Sequence, residues 1–155
     1  MLAEQLGVLL TERGWTVAVA ESCTGGLISD MITDVPGASH YLLAGLVTYS
    51  NVSKIDFLGV RSDTLMQFGA VSERVAREMA VGVRESTEAD LGISTTGIAG
   101  PGGGSAEKPV GLVHFGVSLD DRVITDHRVF PGYRTRVKRE AARYALQMAI
   151  DAMKG

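Results

Sequence analysis

Ala20-Glu21-Ser22-Cys23-Thr24-Gly25-Gly26 is the stretch on which the fold turns. Upstream lies a β-branched apolar run, Trp15-Thr16-Val17-Ala18-Val19-Ala20; downstream, Leu27-Ile28-Ser29-Asp30-Met31-Ile32 places apolar residues at helical spacing. A strand that stops at hydroxyls and two glycines and restarts as a helix is a strand–turn–helix unit. Such a turn aims side chains and unpaired N–H groups into one crevice. Two readings of the turn are open. Either Ser22 is a nucleophile at a helix N-terminus, with the N–H groups of Thr24, Gly25 and Gly26 available to an oxyanion, or Ser22 or Thr24 is the N-cap of the helix.

Working outward, Leu2, Leu6, Leu9 and Leu10 stripe one side of a first helix, which Arg13-Gly14 ends with a basic last turn and a left-handed C-cap. The helix after the turn closes near Pro36-Gly37. Residues 41–49 form a nearly unbroken apolar run of strand length, which predicts a strand covered on both faces. Ser50 or Asn51 then caps a helix carrying Val52, Ile55 and Leu58. Tyr49 thus ends a strand and Lys54 sits in the first turns of a helix. Both reach the crevice of Ser22 if the two strands are neighbours, because open α/β sheets place their sites outside the strand C-termini. Taken singly, each reads equally as a core-edge aromatic and a solvated lysine.

A short helix starts near residue 61, and a longer one buries Val75, Ala76, Met79, Ala80 and Val83. The strand at 91–96 runs into a glycine-rich loop, residues 97–109, bracketed by Pro101 and Pro109. Glycines let backbone N–H groups approach a phosphate or carboxylate closely, although a shaped connector has the same composition. GxxxxGK[ST] has no match, and GxGxxG from Gly100 meets Ser105 where its last glycine belongs. Ala20 excludes a GxSxG elbow, and Pro109 disfavours the helical geometry that Ser105-x-x-Lys108 would need as an SxxK motif. Residues 110–117 and 122–130 flank Leu119-Asp120-Asp121 and predict a β-hairpin. It carries His114 and His127; these and His40 have no acidic or histidine partner at suitable spacing and read as structural. The last helix, residues 135–153, has a basic N-terminal end (Arg134, Arg136, Lys138, Arg139) that opposes its dipole and that an anion would offset.

With 155 residues the chain makes one domain with a real core. A net charge of -3 excludes the concentrated basic surface of a general nucleic-acid or membrane binder, and small-molecule chemistry is expected. Cys23 is the single cysteine and no zinc-ligand spacing occurs, so neither an internal disulfide nor a metal site is expected. No signal-peptide pattern and no membrane-length apolar run are found, so a cytoplasmic location is expected.

On residues 20–26, 45–54, 69–72 and 96–111, the chain resembles the CinA C-terminal domain family, whose members include nicotinamide-nucleotide amidohydrolases of the PncC type. The likeness spans essentially the whole chain, and the strings at 21–26 and 97–105 are highly specific to it. The resemblance implies a three-layer α/β/α sandwich with a mixed sheet, and a homo-oligomer. It implies deamidation of nicotinamide mononucleotide, with Ser22 as nucleophile, Lys54 as base and Tyr49 assisting, and with no metal or organic cofactor. The loop at Gly100, Gly102, Gly103, Gly104 and Ser105, with one or more of Arg134, Arg136 and Arg139, would bind the 5′-phosphate. The large N-terminal domain of full CinA proteins is not in this sequence, and its activity is not expected. Two residues depart from the family pattern: Tyr133 stands in place of an acid and Lys138 in place of an arginine. A non-catalytic mononucleotide-binding paralogue is the alternative reading, and Cys23 the alternative nucleophile.

Overall fold

Val17, Ala18, Val19 and Ala20 are all fully buried, because β1 (Val17–Glu21) is an interior strand of a five-stranded sheet, with a neighbour on each side. The computed structural model describes residues 1–155. β1 pairs in parallel with β2 (Leu42–Val47) on one side and β3 (Leu91–Gly97) on the other. β3 pairs antiparallel with β4 (Leu112–Leu119), and β4 with β5 (Arg122–Val129), giving the order β2-β1-β3-β4-β5. The predicted hairpin is β4–β5, with Asp120 in its turn at a positive φ of 53°.

Helices α1 (Leu2–Arg13), α2 (Leu27–Thr33) and α6 (Arg134–Lys154) pack on one face over Val17, Val19, Leu91, Ile93 and Phe115. On the other face lie α3 (Asn51–Leu58), α4 (Ser62–Phe68) and α5 (Glu73–Thr87), over Ala18 and Ala20. The result is the expected three-layer sandwich. Side-chain alternation along β1 explains the layers: valines fill one side, and alanines on the other let α5 come close. Gly92, Ser94 and Gly116 extend that small-residue floor; a Cβ on Gly116 would lie 2.6 Å from the Ala76 carbonyl, and Ser94 Oγ donates to the same oxygen at 2.6 Å.

β2 corrects one expectation. Its residues alternate half-buried and exposed, with Leu43 and Val47 open to solvent, so the apolar run is not covered on both faces. β2 is an edge strand, and α2, seven residues long, approaches it closely at Gly45, where a Cβ would collide with the Ser29 side chain. Chain order then places the C-terminal ends of three parallel strands side by side, at the β1–α2 turn, the β2–α3 junction and the glycine-rich loop after β3.

Candidate active site

The β1–α2 turn is built around the side chain that precedes the serine. Glu21 is fully buried, and its carboxylate accepts from the N–H groups of Gly26 (3.1 Å), Ile28 (3.0 Å) and Ser29 (2.9 Å), and from the hydroxyls of Thr24 (2.6 Å) and Ser29 (2.8 Å). These N–H groups belong to the first turn of α2, which has no other acceptor for them. Neither Ser22 nor Thr24 is the N-cap: Gly26 occupies that position at φ 103°, and Glu21 supplies the capping oxygens. The Ser22 hydroxyl is left free to face across the sheet.

What it faces is Lys54. Ser50 caps α3 by accepting the Ser53 N–H at 3.1 Å, which sets the helix phase so that Lys54 points inward at 1% exposure. Its Nζ donates to Ser22 Oγ (2.8 Å), to the Thr48 carbonyl (2.6 Å) and, more weakly, to the Tyr49 carbonyl (3.4 Å). No carboxylate pairs with it. Burial therefore lowers its pKa from the usual 10.5 to about 8. Proton counting then fixes the geometry of the neutral form. A neutral amine keeps two N–H donors and one lone pair, and carbonyls can only accept, so the lone pair must turn to Ser22, the one partner with a proton to give. The pair can thus act as nucleophile and general base.

Cys23, beside Ser22, is buried; desolvation, with the Glu21 charge adding to it, pushes its thiol up to about 12. At neutral pH it is a protonated thiol without a hydrogen bond to Lys54, a poor state for a nucleophile.

Ser22, Cys23, Tyr49, Lys54, Val71, Thr96 and Arg134 line a crevice of about 190 Å³ together with Ala70, Gly97 and Ala99. Tyr49 is brought to the rim, but its hydroxyl accepts from Arg134 Nη2 (3.1 Å) and only its main-chain oxygen reaches Lys54. Arg134 Nη1 donates to the Gly100 carbonyl at 2.6 Å, so this arginine ties the glycine-rich loop to the end of β2.

Other expected site residues are placed differently. The Gly25 N–H is used by the Ser22 carbonyl (3.0 Å) and the Gly26 N–H by Glu21, so of the three expected oxyanion donors only the Thr24 N–H is without an acceptor. Tightness of the turn is the reason: it consumes its own donors. Gly102, Gly103, Gly104 and Ser105 are exposed and outside the crevice lining, and Ser105 Oγ accepts the Lys108 N–H at 3.0 Å in a local non-helical turn. Arg136 and Arg139 are exposed at the start of α6 without a side-chain hydrogen bond or ion pair. Lys138 lies over Gly25, its Nζ 3.7 Å from where a Cβ would stand. His114 and His127 stack across β4–β5 with centroids 5.2 Å apart, away from the crevice. No group of three or more His, Cys, Asp or Glu side chains could hold a metal ion. No helix is long and apolar enough to cross a membrane.

Sequence reasoning missed Glu21, Thr48 and the Thr95 hydroxyl, which lies 2.9 Å from that of Thr24. An acid closing an otherwise apolar strand was the one available signal for Glu21.

Fold and site define a class: an α/β protein with a buried serine–lysine pair at the C-terminal edge of parallel strands. The chain belongs to the CinA C-terminal domain family, whose model matches residues 1–153. It is 51% identical over 150 residues to a protein of Enterobacter agglomerans named nicotinamide-nucleotide amidohydrolase PncC, covering 96% of this chain and 92% of that one. A putative competence-damage inducible protein of Moorella thermoacetica is 50% identical over 142 residues; the match takes in 92% of this chain but only 34% of that longer relative. Among solved structures, the competence/damage inducible protein CihA from Agrobacterium tumefaciens superposes with a TM-score of 0.92 at 42% identity, covering 99% of this chain and 96% of that one.

Proposed function

We propose that this chain is an amidohydrolase that converts nicotinamide mononucleotide and water to nicotinate mononucleotide and ammonia. The observation that carries the reading is the contact of 2.8 Å between Lys54 Nζ and Ser22 Oγ, made by a lysine that burial brings to a pKa of about 8. The relative of nearly equal length that bears an amidohydrolase name supplies the substrate.

In this reading Ser22 Oγ attacks the carboxamide carbon as its proton passes to Lys54. The pyridinium ring withdraws electrons and makes that carbon more electrophilic. Negative charge develops on the carboxamide oxygen, for which the main-chain N–H groups of Cys23, which lines the crevice, and Thr24 have no other acceptor; loss of one such donor costs on the order of 10²–10³ in rate. Lys54, now an ammonium, returns its proton to the departing nitrogen, and ammonia leaves a Ser22 ester. Water then attacks the ester with Lys54 again taking the proton, which releases the acid and restores Ser22. Arg134, the one arginine that lines the crevice, is the proposed partner of the 5′-phosphate. No step calls for a metal or an organic cofactor.

The test is ammonia release from nicotinamide mononucleotide by wild-type and Ser22→Ala proteins, with chromatographic detection of the acid. Product from the wild type alone is expected. Turnover by Ser22→Ala would overturn the mechanism, and saturable mononucleotide binding without turnover by the wild type would favour a non-catalytic paralogue.

A further inference from the structure

We infer that Glu21 is a positioning residue that sets the Ser22–Lys54 distance from both sides. This rests on the Ser22–Lys54 reading above. From one side, its carboxylate gathers five donors and winds the Ser22–Gly26 segment around itself, with Gly25 and Gly26 at φ 61° and 103° completing the loop. From the other side, its carbonyl accepts the Thr48 N–H at 2.8 Å, and the Thr48 carbonyl in turn holds Lys54 Nζ at 2.6 Å. A single residue therefore connects the nucleophile, one position along the chain, to the anchor of the base on the neighbouring strand.

The hydroxyl chain feeding Glu21 has a defined direction. A hydroxyl has one proton. Thr24 spends its proton on Glu21 (2.6 Å), so in the 2.9 Å contact between Thr24 and Thr95 it is Thr95 that donates. The order Thr95 to Thr24 to Glu21 ties the turn to β3 and requires a carboxylate, an acceptor on both oxygens, at its end. An amide at position 21 would turn an NH2 toward either the Thr24–Gly26–Ile28 donors or the Ser29 donors. The turn would then shift while the surroundings of Lys54 stayed as they are.

The experiment uses a fluorophosphonate, which reads the pair without depending on the substrate. Ser22 Oγ bonds to phosphorus, fluoride leaves, and the serine proton passes to Lys54. Labelling rates are measured from pH 6 to 10 for wild type, Ser22→Ala and Glu21→Gln. Expected are labelling of wild type but not Ser22→Ala, and labelling of Glu21→Gln about 10²-fold more slowly, as a displacement of ~1 Å produces, with the wild-type pH midpoint retained. Thr24→Val, which removes one hydroxyl link, gives the same readout if Glu21→Gln does not fold; a roughly tenfold slower rate with an unchanged midpoint is expected. Wild-type rates in these variants would overturn the inference and leave Glu21 a helix cap only. A displaced midpoint would also overturn it, since Glu21 would then be acting on the charge of Lys54. Absence of labelling in the wild type would instead overturn the Ser22–Lys54 reading and this inference with it. Labelling without release of ammonia from the nucleotide would discard only the proposed substrate.

Discussion

Lys54 Nζ donates to Ser22 Oγ across the boundary of two parallel strands, and its two other acceptors are main-chain carbonyls of the segment that follows β2. No acid stands behind the lysine to hold its proton. In the proposed mechanism the pair therefore depends on pH through one group, which would work in its neutral form.

Activity is expected to rise with pH and level off above about 8, following loss of one proton from Lys54. A profile of kcat/KM from pH 6 to 10 tests this. A profile that is flat through that region would remove Lys54 from the role of base.

Stability has a related signature. Lys54 titrates at about 8 when folded and near 10.5 when unfolded, so between these values the unfolded chain binds the extra proton and stability rises with pH. Lys54→Met should lack that increment. The stability difference between wild type and Lys54→Met should move toward wild type by on the order of 2 kcal/mol from pH 7.5 to 10, after discounting for screening. Thermal melts should show it as a relative gain of roughly 4–8 °C for the wild type.

Cys23→Ala should keep most of its activity, because the buried thiol is neutral and makes no hydrogen bond to Lys54. Side-by-side turnover and thiol titration check this; loss of more than about 10²-fold in kcat with the fold intact would transfer the nucleophile to sulfur.

Tyr49→Phe and Arg134→Gln should each raise KM more than they lower kcat, since the two side chains meet each other at the rim and neither touches Ser22 or Lys54. Combined, they should cost little more than the worse single change, the mark of residues in one network. Full additivity in the double-mutant cycle would show that they act separately.

Much of this arrangement was legible because it depends on local chemistry. Gly14 ends α1 at φ 65°, Ser50 caps α3, and Val75, Ala76, Met79, Ala80 and Val83 are the buried face of α5, all as their spacing predicts. The residue pattern puts Ser22 and Lys54 in one crevice only on the condition that β1 and β2 are neighbours, which no local pattern states. The position of β2 at the edge was hidden because Leu42 to Val47 would be equally apolar in the middle of a sheet. Glu21 was hidden for a different reason: three of its five donors are backbone N–H groups, which any sequence possesses. Fewer N–H groups are free at the turn than its composition suggests, because the turn itself uses those of Gly25 and Gly26.

The two carbonyls that hold Lys54, those of Thr48 and Tyr49, have a bearing on how this site can change over generations. Every residue has a main-chain oxygen, so a side-chain replacement at 48 or 49 leaves the acceptor in being. Drift at those positions can proceed while the lysine stays tethered, and a scan by alanine would pass over the tether without finding it. What the tether does not survive is a change of chain length between β2 and α3: one residue added or removed there would rotate the carbonyls away from the amine. Insertions and deletions, rather than substitutions, are the changes to which this anchor is vulnerable.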